Sequence, residues 1–319
     1  MSKAILSYLI ILFAFSLVSC NQSKPPAQLE TTVTKYDVYK GVLNVSCDAG
    51  LEPIIKQQTE VFQYLHDSVR CNVLYSSEKE MFADFRSKKT NVMLLTRALA
   101  TSEANDFKNI DTIYTREIPI AYDAVAVIAS KDYDDSRLTV EQVKQYFSPS
   151  ASVGNSPRLV FENQNSTVVR YVLNSLGYHE KVSSNVYAMQ SADEVIAYVT
   201  DNKNALGFIP YNRLSDTDDP RVKLLLERIK ILSLTVKIKD GEERRVSANQ
   251  SDIAAGDYPF IRTIHAVTRY TYTDNLELLF MGFLGREKGA KIFLKAGLIP
   301  VKTPEREIIV NDKGIKAGR

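Results

Sequence analysis

Short blocks of apolar residues alternate with stretches in which apolar positions recur every three or four residues, and this switching predicts the elements. Residues 42–47 read as a strand. After the turn Asp48-Ala49-Gly50-Leu51, Pro53 stands where a helix tolerates proline, and Ile54, Ile55, Phe62 and Leu65 follow at helical spacing. Residues 71–75 predict a second strand, 81–86 a short helix and 92–95 a third strand. Strand, helix, strand, helix, strand implies a parallel sheet with right-handed crossovers.

Residues 118–130 are extended and apolar for longer than one half-buried strand needs, which suits a segment passing from one lobe to another. Thr139 and Gln142 form a capping box that opens a helix through Phe147. A strand over 158–161 feeds the stretch ENQNSTVVRYV, residues 162–172. There Asn163, Asn165, Ser166 and Thr167 precede a helical stripe of Val168, Val169, Val172, Leu173 and Leu176 that stops at Gly177. A helix cap needs only one of those four polar residues. The surplus is either a ligand site or a polar loop. A second box, Ser191 with Glu194, opens a helix toward Asp201, and residues 205–211 return as a strand. Residues 229–238 and 243–247, joined by Asp240-Gly241, predict a hairpin.

Residues 258–269 are again long, extended and β-branched, and two helices follow at 275–284 and 289–296, the second closing at Gly297. A chain that crosses out near residue 122 and back near 258 is an α/β protein with two doubly wound lobes joined by two hinge strands. That architecture contains a cleft. The expected organisation is a signal peptide at 1–19, a tether at 20–40, a first lobe from 41–121 and 258–310, a second lobe at 122–257 and a tail at 311–319.

The N-terminus changes the picture of where such a protein works. Lys3 precedes an apolar run from Ala4 to Val18, too short to span a bilayer comfortably and of the length of a signal h-region. Leu17-Val18-Ser19-Cys20 resembles the lipobox of bacterial lipoproteins, which implies cleavage before a lipidated Cys20. An ordinary secretory signal with an incidental cysteine is the other reading. Residues 21–40 carry Pro25-Pro26, Gln, Ser and Thr without an apolar period, the composition of a flexible tether. Of the two remaining cysteines, Cys47 ends one strand and Cys71 begins the next. In adjacent parallel strands that separates them by roughly 15 Å, beyond disulfide reach, so two free, buried thiols are expected.

Net charge is +2 with Lys and Arg scattered, so nothing points to nucleic acid, and the chain reads as a monomer without a cofactor. The sequence holds no Walker A motif, GxGxxG, GxSxG or HExxH, and His66, His179 and His265 stand apart from one another and from the cysteines. No pattern demands an enzyme. What doubly wound lobes do offer is helix N-termini at the carboxyl ends of parallel strands, each with unpaired N–H groups and about half a positive charge. Four such turns are candidates: Asp48 to Leu51, with Gly50 and Leu51 as the expected ligands, Ser76 and Ser77, Thr96 and Arg97, and Asn165, Ser166 and Thr167. The hydroxyls can donate to an anion, and Arg97 has a bidentate fork. Each taken alone is equally an ordinary cap.

In their order along the chain, a set of segments resembles the phosphate-binding solute receptors of Pst-type ABC transporters, in the form found in lipoproteins of the Bacteroidetes. These are Pro53-Ile54-Ile55 to Val61-Phe62, Thr96-Arg97-Ala98-Leu99 with Glu103, residues 121–128, Leu138-Thr139 to Gln142-Val143, residues 205–209, Tyr258-Pro259 with Arg262, and Gly297-Leu298-Ile299-Pro300. The resemblance covers residues 41–310 and implies a type II periplasmic-binding-protein fold. It also implies a cleft closing on phosphate or a related oxyanion, a lipid anchor facing the periplasm of a Gram-negative cell, and delivery to ABC permease subunits. The chain departs from the family at liganding places. Asn165-Ser166-Thr167 stands for Ser-Gly-Thr, Phe161 for an arginine, Arg97 for an aspartate that accepts the ligand's proton, and Gly50-Leu51 for Thr-Phe. The alternative is a noncatalytic sensory or interaction lipoprotein that kept the fold and lost the pocket.

Overall fold

The computed structural model describes residues 40–135, 138–151, 156–163, 166–178, 182–238, 241–271, 275–304, 308–311 and 314–317. The expected signal peptide, Cys20, most of the tether, Asn165, His179 and Asp240 lie outside the described residues. Within the unit from Val38 to Arg319, the strands β1 (Gly41–Asp48), β2 (Val69–Ser76) and β3 (Val92–Leu95) form the parallel order β2-β1-β3. The crossovers are α1 (Glu52–Leu65) and α2 (Glu78–Arg86). Helix α1 buries Ile54, Ile55 and Phe62 as its periodicity predicts, while Leu65 in its last turn is exposed. Phe62 meets Phe280 edge-on at 5.0 Å between ring centroids. In the β1–β2 register Cys71 lies opposite Leu43 and Cys47 opposite Tyr75, an offset of about 13 Å at the rise of a strand. Both thiols are free as expected, but only Cys47 is fully buried, because Cys71 is on the edge strand β2.

Helix α3 (Thr101–Asn109) falls where the periodicity predicts none. Its only buried side chain is Phe107, and its N-cap is Ala100, so neither an apolar stripe nor a hydroxyl cap announces it. Strand β4 (Thr115–Ser130) then joins the two halves of the sheet. Its first part, as far as Ala124, runs antiparallel to β11 (Ile261–Arg269), and from Val125 to Ile128 it pairs with β7 (Ala205–Pro210). All residues from Asp123 to Ser130 are buried, which is why this stretch reads as continuously apolar rather than alternating.

The second half contains α4 (Val140–Phe147), β5 (Arg158–Phe161), α5 (Thr167–Ser175), β6 (Val186–Ala188), α6 (Ala192–Asp201), β7 (Ala205–Pro210) and α7 (Pro220–Arg228). Strands β7, β5 and β6 are parallel neighbours, with Phe161 stacked on Phe208 at 4.8 Å. Thr139 and Gln142 form the predicted capping box, and Gly177 takes a φ of +76° where α5 ends. The predicted hairpin is shorter than expected. Strand β8 (Ile229–Ile231) joins β4, and only β9 (Leu234–Lys237) and β10 (Glu243–Val246) pair with each other.

After α8 (Gln250–Ala255) comes β11 (Ile261–Arg269), which starts three residues later than the sequence suggests. It pairs with β3 and with the first part of β4, so the return to the first half is complete as the strand begins. Helices α9 (Leu276–Leu284) and α10 (Glu287–Lys295) and the short β12 (Ile299–Pro300) finish that half. Near the end of the chain β13 (Ile308–Asn311) pairs with β14 (Gly314–Ala317), a strand inside the expected tail. The main sheet runs β2-β1-β3-β11-β4-β7-β5-β6, with β8 and β12 also on β4. Among the described residues no helix is long and apolar enough to cross a membrane.

Candidate functional site

The strands of both halves deliver their carboxyl ends to one cleft of about 190 Å³. Asp48 ends β1 and Ser76 ends β2, while Glu162 follows β5, Ser191 follows β6 and Arg213 follows β7. All five line the cleft, together with Gly50, Glu52, Ser77, Glu78, Asn163, Ser166, Thr167 and Gln190. This is the place where an open or doubly wound sheet collects ligands.

At its centre is Asp48, only 6% exposed. Its Oδ1 accepts the Gly50 amide at 2.8 Å. Its Oδ2 accepts the hydroxyls of Thr96 at 3.2 Å and Thr167 at 2.6 Å. A Cβ on Gly50 would lie 2.9 Å from Pro210 Cγ and 3.2 Å from Asp48 Oδ1, so the bare glycine lets the carboxylate settle against the backbone. Three of the residues predicted to hold an anion thus hold one, and it is the chain's own.

Beneath the first turn lies a buried network. Arg262 and Asp123 have fully buried side chains, with Arg262 Nη2 2.8 Å and Nε 3.1 Å from Asp123 Oδ2. Asp123 also accepts the Asn212 amide and side-chain NH2, and Asn212 donates to the Gly50 carbonyl at 2.9 Å. Burial works against the Arg262 charge, but Asp123 first and Asp48 next outweigh it, so its pKa is raised. Arg262 Nη1 has no hydrogen-bond partner among the described residues.

The other expected site residues divide. Leu51 is wholly buried in the core and does not line the cleft. Ser77 lines it, but its hydroxyl donates to Glu80 at 2.8 Å and its amide to the same carboxylate at 3.0 Å, so it serves chiefly as the cap of α2. Ser166 caps α5, accepting the Val168 amide at 3.0 Å, and donates to Glu162 at 2.9 Å. The fork expected of Arg97 is spent locally: Nη1 and Nη2 each reach a Glu103 oxygen at 2.7 Å, and Nε reaches Glu78 at 2.8 Å. The Glu103 bond first, with help from Glu78, raises the Arg97 pKa against its burial. Phe161, at the position where the resemblance places an arginine, is 1% exposed within the aromatic core of the second half.

Sequence reasoning missed Glu78, Glu162 and Arg213, and took Asp48 only as part of the first candidate turn. Glu78 bridges the halves, bonding Arg97 and, through Oε2, Arg170 of α5 at 2.5 Å. Burial pushes the Glu162 carboxyl up, although the Ser166 hydroxyl, Arg262 and Arg213 pull the other way and Asp48 adds to the rise. Arg213 ends the 3₁₀ turn Tyr211–Arg213 and stands 3.6 Å from the exposed Asp193. Its Nε and the Ser76 hydroxyl are buried donors in the cleft without a hydrogen-bond partner among the described residues. No group of three or more His, Cys, Asp or Glu able to hold a metal occurs among the described residues.

The two sheet halves bring their strand ends to one polar cleft, the architecture of an α/β protein with a single shared sheet. The chain belongs to the periplasmic-binding-protein superfamily, whose domain, described as "PBP superfamily domain", matches residues 25–294. No curated protein matches the sequence. Among solved structures it is similar to a phosphate ABC transporter substrate-binding protein with bound phosphate from Clostridium perfringens. That pair shares 19% identity at a TM-score of 0.65, covering 82% of this chain and 100% of the other. An ABC-type phosphate transport receptor from Vibrio cholerae matches at 16% identity and TM-score 0.60, covering 82% and 100%. A sulfate-bound OxyR2 regulatory domain from Vibrio vulnificus matches at 10% and 0.50, covering 77% and 94%. At these identities the likeness is one of fold, and the fold serves more than one function.

Proposed function

We propose that the protein is an extracytoplasmic receptor for phosphate or a closely related tetrahedral oxyanion, anchored through a lipidated Cys20 and serving an ABC permease. The observation that carries this reading is the convergence of the Gly50 amide and the Thr96 and Thr167 hydroxyls, from three separate elements, on one carboxylate. Neutral donors at strand ends hold an anion without the desolvation that a buried cation would suffer. Ser76 and Arg213 also line the cleft. The segment from residue 122 to 257 would be the lobe that closes, with β4 and the start of β11 as the hinge.

A thermal-shift panel on the purified, ligand-stripped chain tests the proposal, using phosphate, arsenate, sulfate, molybdate and chloride. Phosphate at a hundred times its dissociation constant is expected to add about 2.7 kcal/mol of stability, saturably and selectively. No shift with any anion would overturn the receptor reading. It would favour a noncatalytic sensory or interaction lipoprotein that kept the fold and lost the anion pocket.

A further inference from the structure

We propose that the far end of the first half, opposite the cleft, is a docking face for an anionic lipid bilayer. Three large side chains stand exposed there: Ile110 at 74%, Tyr114 at 58% and Tyr270 at 43%. Ile110 and Tyr114 lie in the turn between α3 and β4, Tyr270 follows β11, and its amide donates to the Tyr114 carbonyl. Each ring carries a cation, with Lys108 Nζ 5.8 Å from the Tyr114 centroid and Arg116 Cζ 5.1 Å from that of Tyr270. Lys88, exposed in the turn between α2 and β3, adds a third. Register puts these turns at one end, since Thr268 of β11 faces both Val92, the first residue of β3, and Arg116 near the start of β4. Lys88, Lys108 and Arg116 are in no ion pair among the described residues, and two acids of this end, Asp84 and Asp111, are bound to Lys89 and Arg86. Tyrosine rings with cations beside them suit the headgroup layer, where the ring sits at the apolar boundary and the charge meets lipid phosphates.

The path of the chain identifies the occupant. Strand β1 begins at Gly41, at the same end of the first half. Strands β1, β3, β11 and β4 are consecutive in the sheet, so at about 4.8 Å per strand the start of β1 lies roughly 15 Å from the start of β4. Residues 21–40, at no more than about 3.5 Å each, keep the expected lipid attachment at Cys20 within roughly 70 Å of this face. An anchored body therefore presents this end to lipid at a high effective concentration, and a basic face adds the second signal that stable seating needs. The cleft stands a strand's length away, about 25 Å, at the other ends of β1 and β2, and β4 carries the second half beyond it. Docking by this face leaves both clear of the lipid.

This inference rests on the lipid-anchored part of the proposed function, and its test lets the two fail separately. The chain contains no tryptophan, so Tyr114→Trp places a single reporter on the face, and Leu224→Trp, on α7 of the second half, serves as the control. The full chain is floated with vesicles of phosphatidylcholine and phosphatidylglycerol carrying brominated acyl chains, at low and at high salt. At low salt the fluorescence of Tyr114→Trp is expected to fall at least twofold while that of Leu224→Trp is unchanged. High salt, added Lys108→Glu and Arg116→Glu substitutions, or vesicles of phosphatidylcholine alone are each expected to restore it. Flotation that persists at high salt reports the anchor. Persistent flotation with Tyr114→Trp unquenched, or quenched no more than Leu224→Trp, would overturn the docking face and leave the anchor standing. Flotation lost at high salt would overturn the anchor, and salt-sensitive quenching of Tyr114→Trp would then uphold the face by itself; without that quenching both fall. Should Tyr114→Trp fail to fold, Ile110→Trp puts the reporter on the same face and the same outcomes apply.

Discussion

The turn after β1 ends in a carboxylate, Asp48, whereas the turn after β5 leads to two hydroxyls, Ser166 and Thr167, and a 2.6 Å bond joins them. Both turns precede helices and both look like caps in sequence. One is an acceptor that draws in donors from its surroundings; the other is a donor that reaches across the cleft. A receptor whose two lobes both presented donors would need a ligand to hold them together. Here the acceptor on one side lets the halves engage each other directly.

The same contrast runs through the arginines. Arg262 is wholly buried and tied to Asp123, while Arg97 keeps about a third of its side chain exposed among Glu78 and Glu103. Replacing Asp123 by Ala leaves the Arg262 charge buried without its counterion, and a loss of about 3–5 kcal/mol is expected in denaturant unfolding. The corresponding loss for Glu103→Ala is expected to be about 1 kcal/mol or less, because water screens that pair. Similar losses for the two would mean that the Arg262–Asp123 pair is not sealed from water as its burial implies.

A smaller effect separates two glutamates by pH. Glu103 is held below its ordinary value, chiefly by Arg97, so its contribution is present above the unfolded pKa and is lost as pH falls through the folded one. Glu162 is shifted up by burial. Its contribution is present below the unfolded pKa and is lost as pH rises through the folded value. Denaturation midpoints of Glu162→Gln are therefore expected to hold up better than those of the wild type as pH is raised from 4 to 8. A parallel pair of pH profiles would remove Glu162 from the buried part of the cleft.

Much of the fold was legible because its signals are local. Strands 92–95 and 158–161 have the bounds their apolar blocks give, and the Thr139 box and the stop at Gly177 depend on residues within a few positions. Helix α3 was not legible, since one buried phenylalanine makes no stripe. The site was readable as a set of turns but not as a set of partners. That Thr96 and Thr167 share an acceptor depends on contacts 48 and 119 residues apart, which no spacing rule reports. Arg97 shows the converse: its fork was real, but a carboxylate six residues on, Glu103, satisfied it locally. Asp48 stands in sequence within the first candidate turn, and only folding reveals that it gathers donors from Gly50, Thr96 and Thr167.

The most direct test of convergence on one anion position is the phosphate affinity of Thr167→Val, by isothermal titration calorimetry against the wild type. Thr167 is the donor that the second half contributes to the oxygens held by the first. The account predicts a single phosphate site in the wild type and binding at least tenfold weaker, or absent, in the variant. Phosphate bound equally well by both proteins would contradict it, because the anion would then sit away from the place where Asp48 and Thr167 meet.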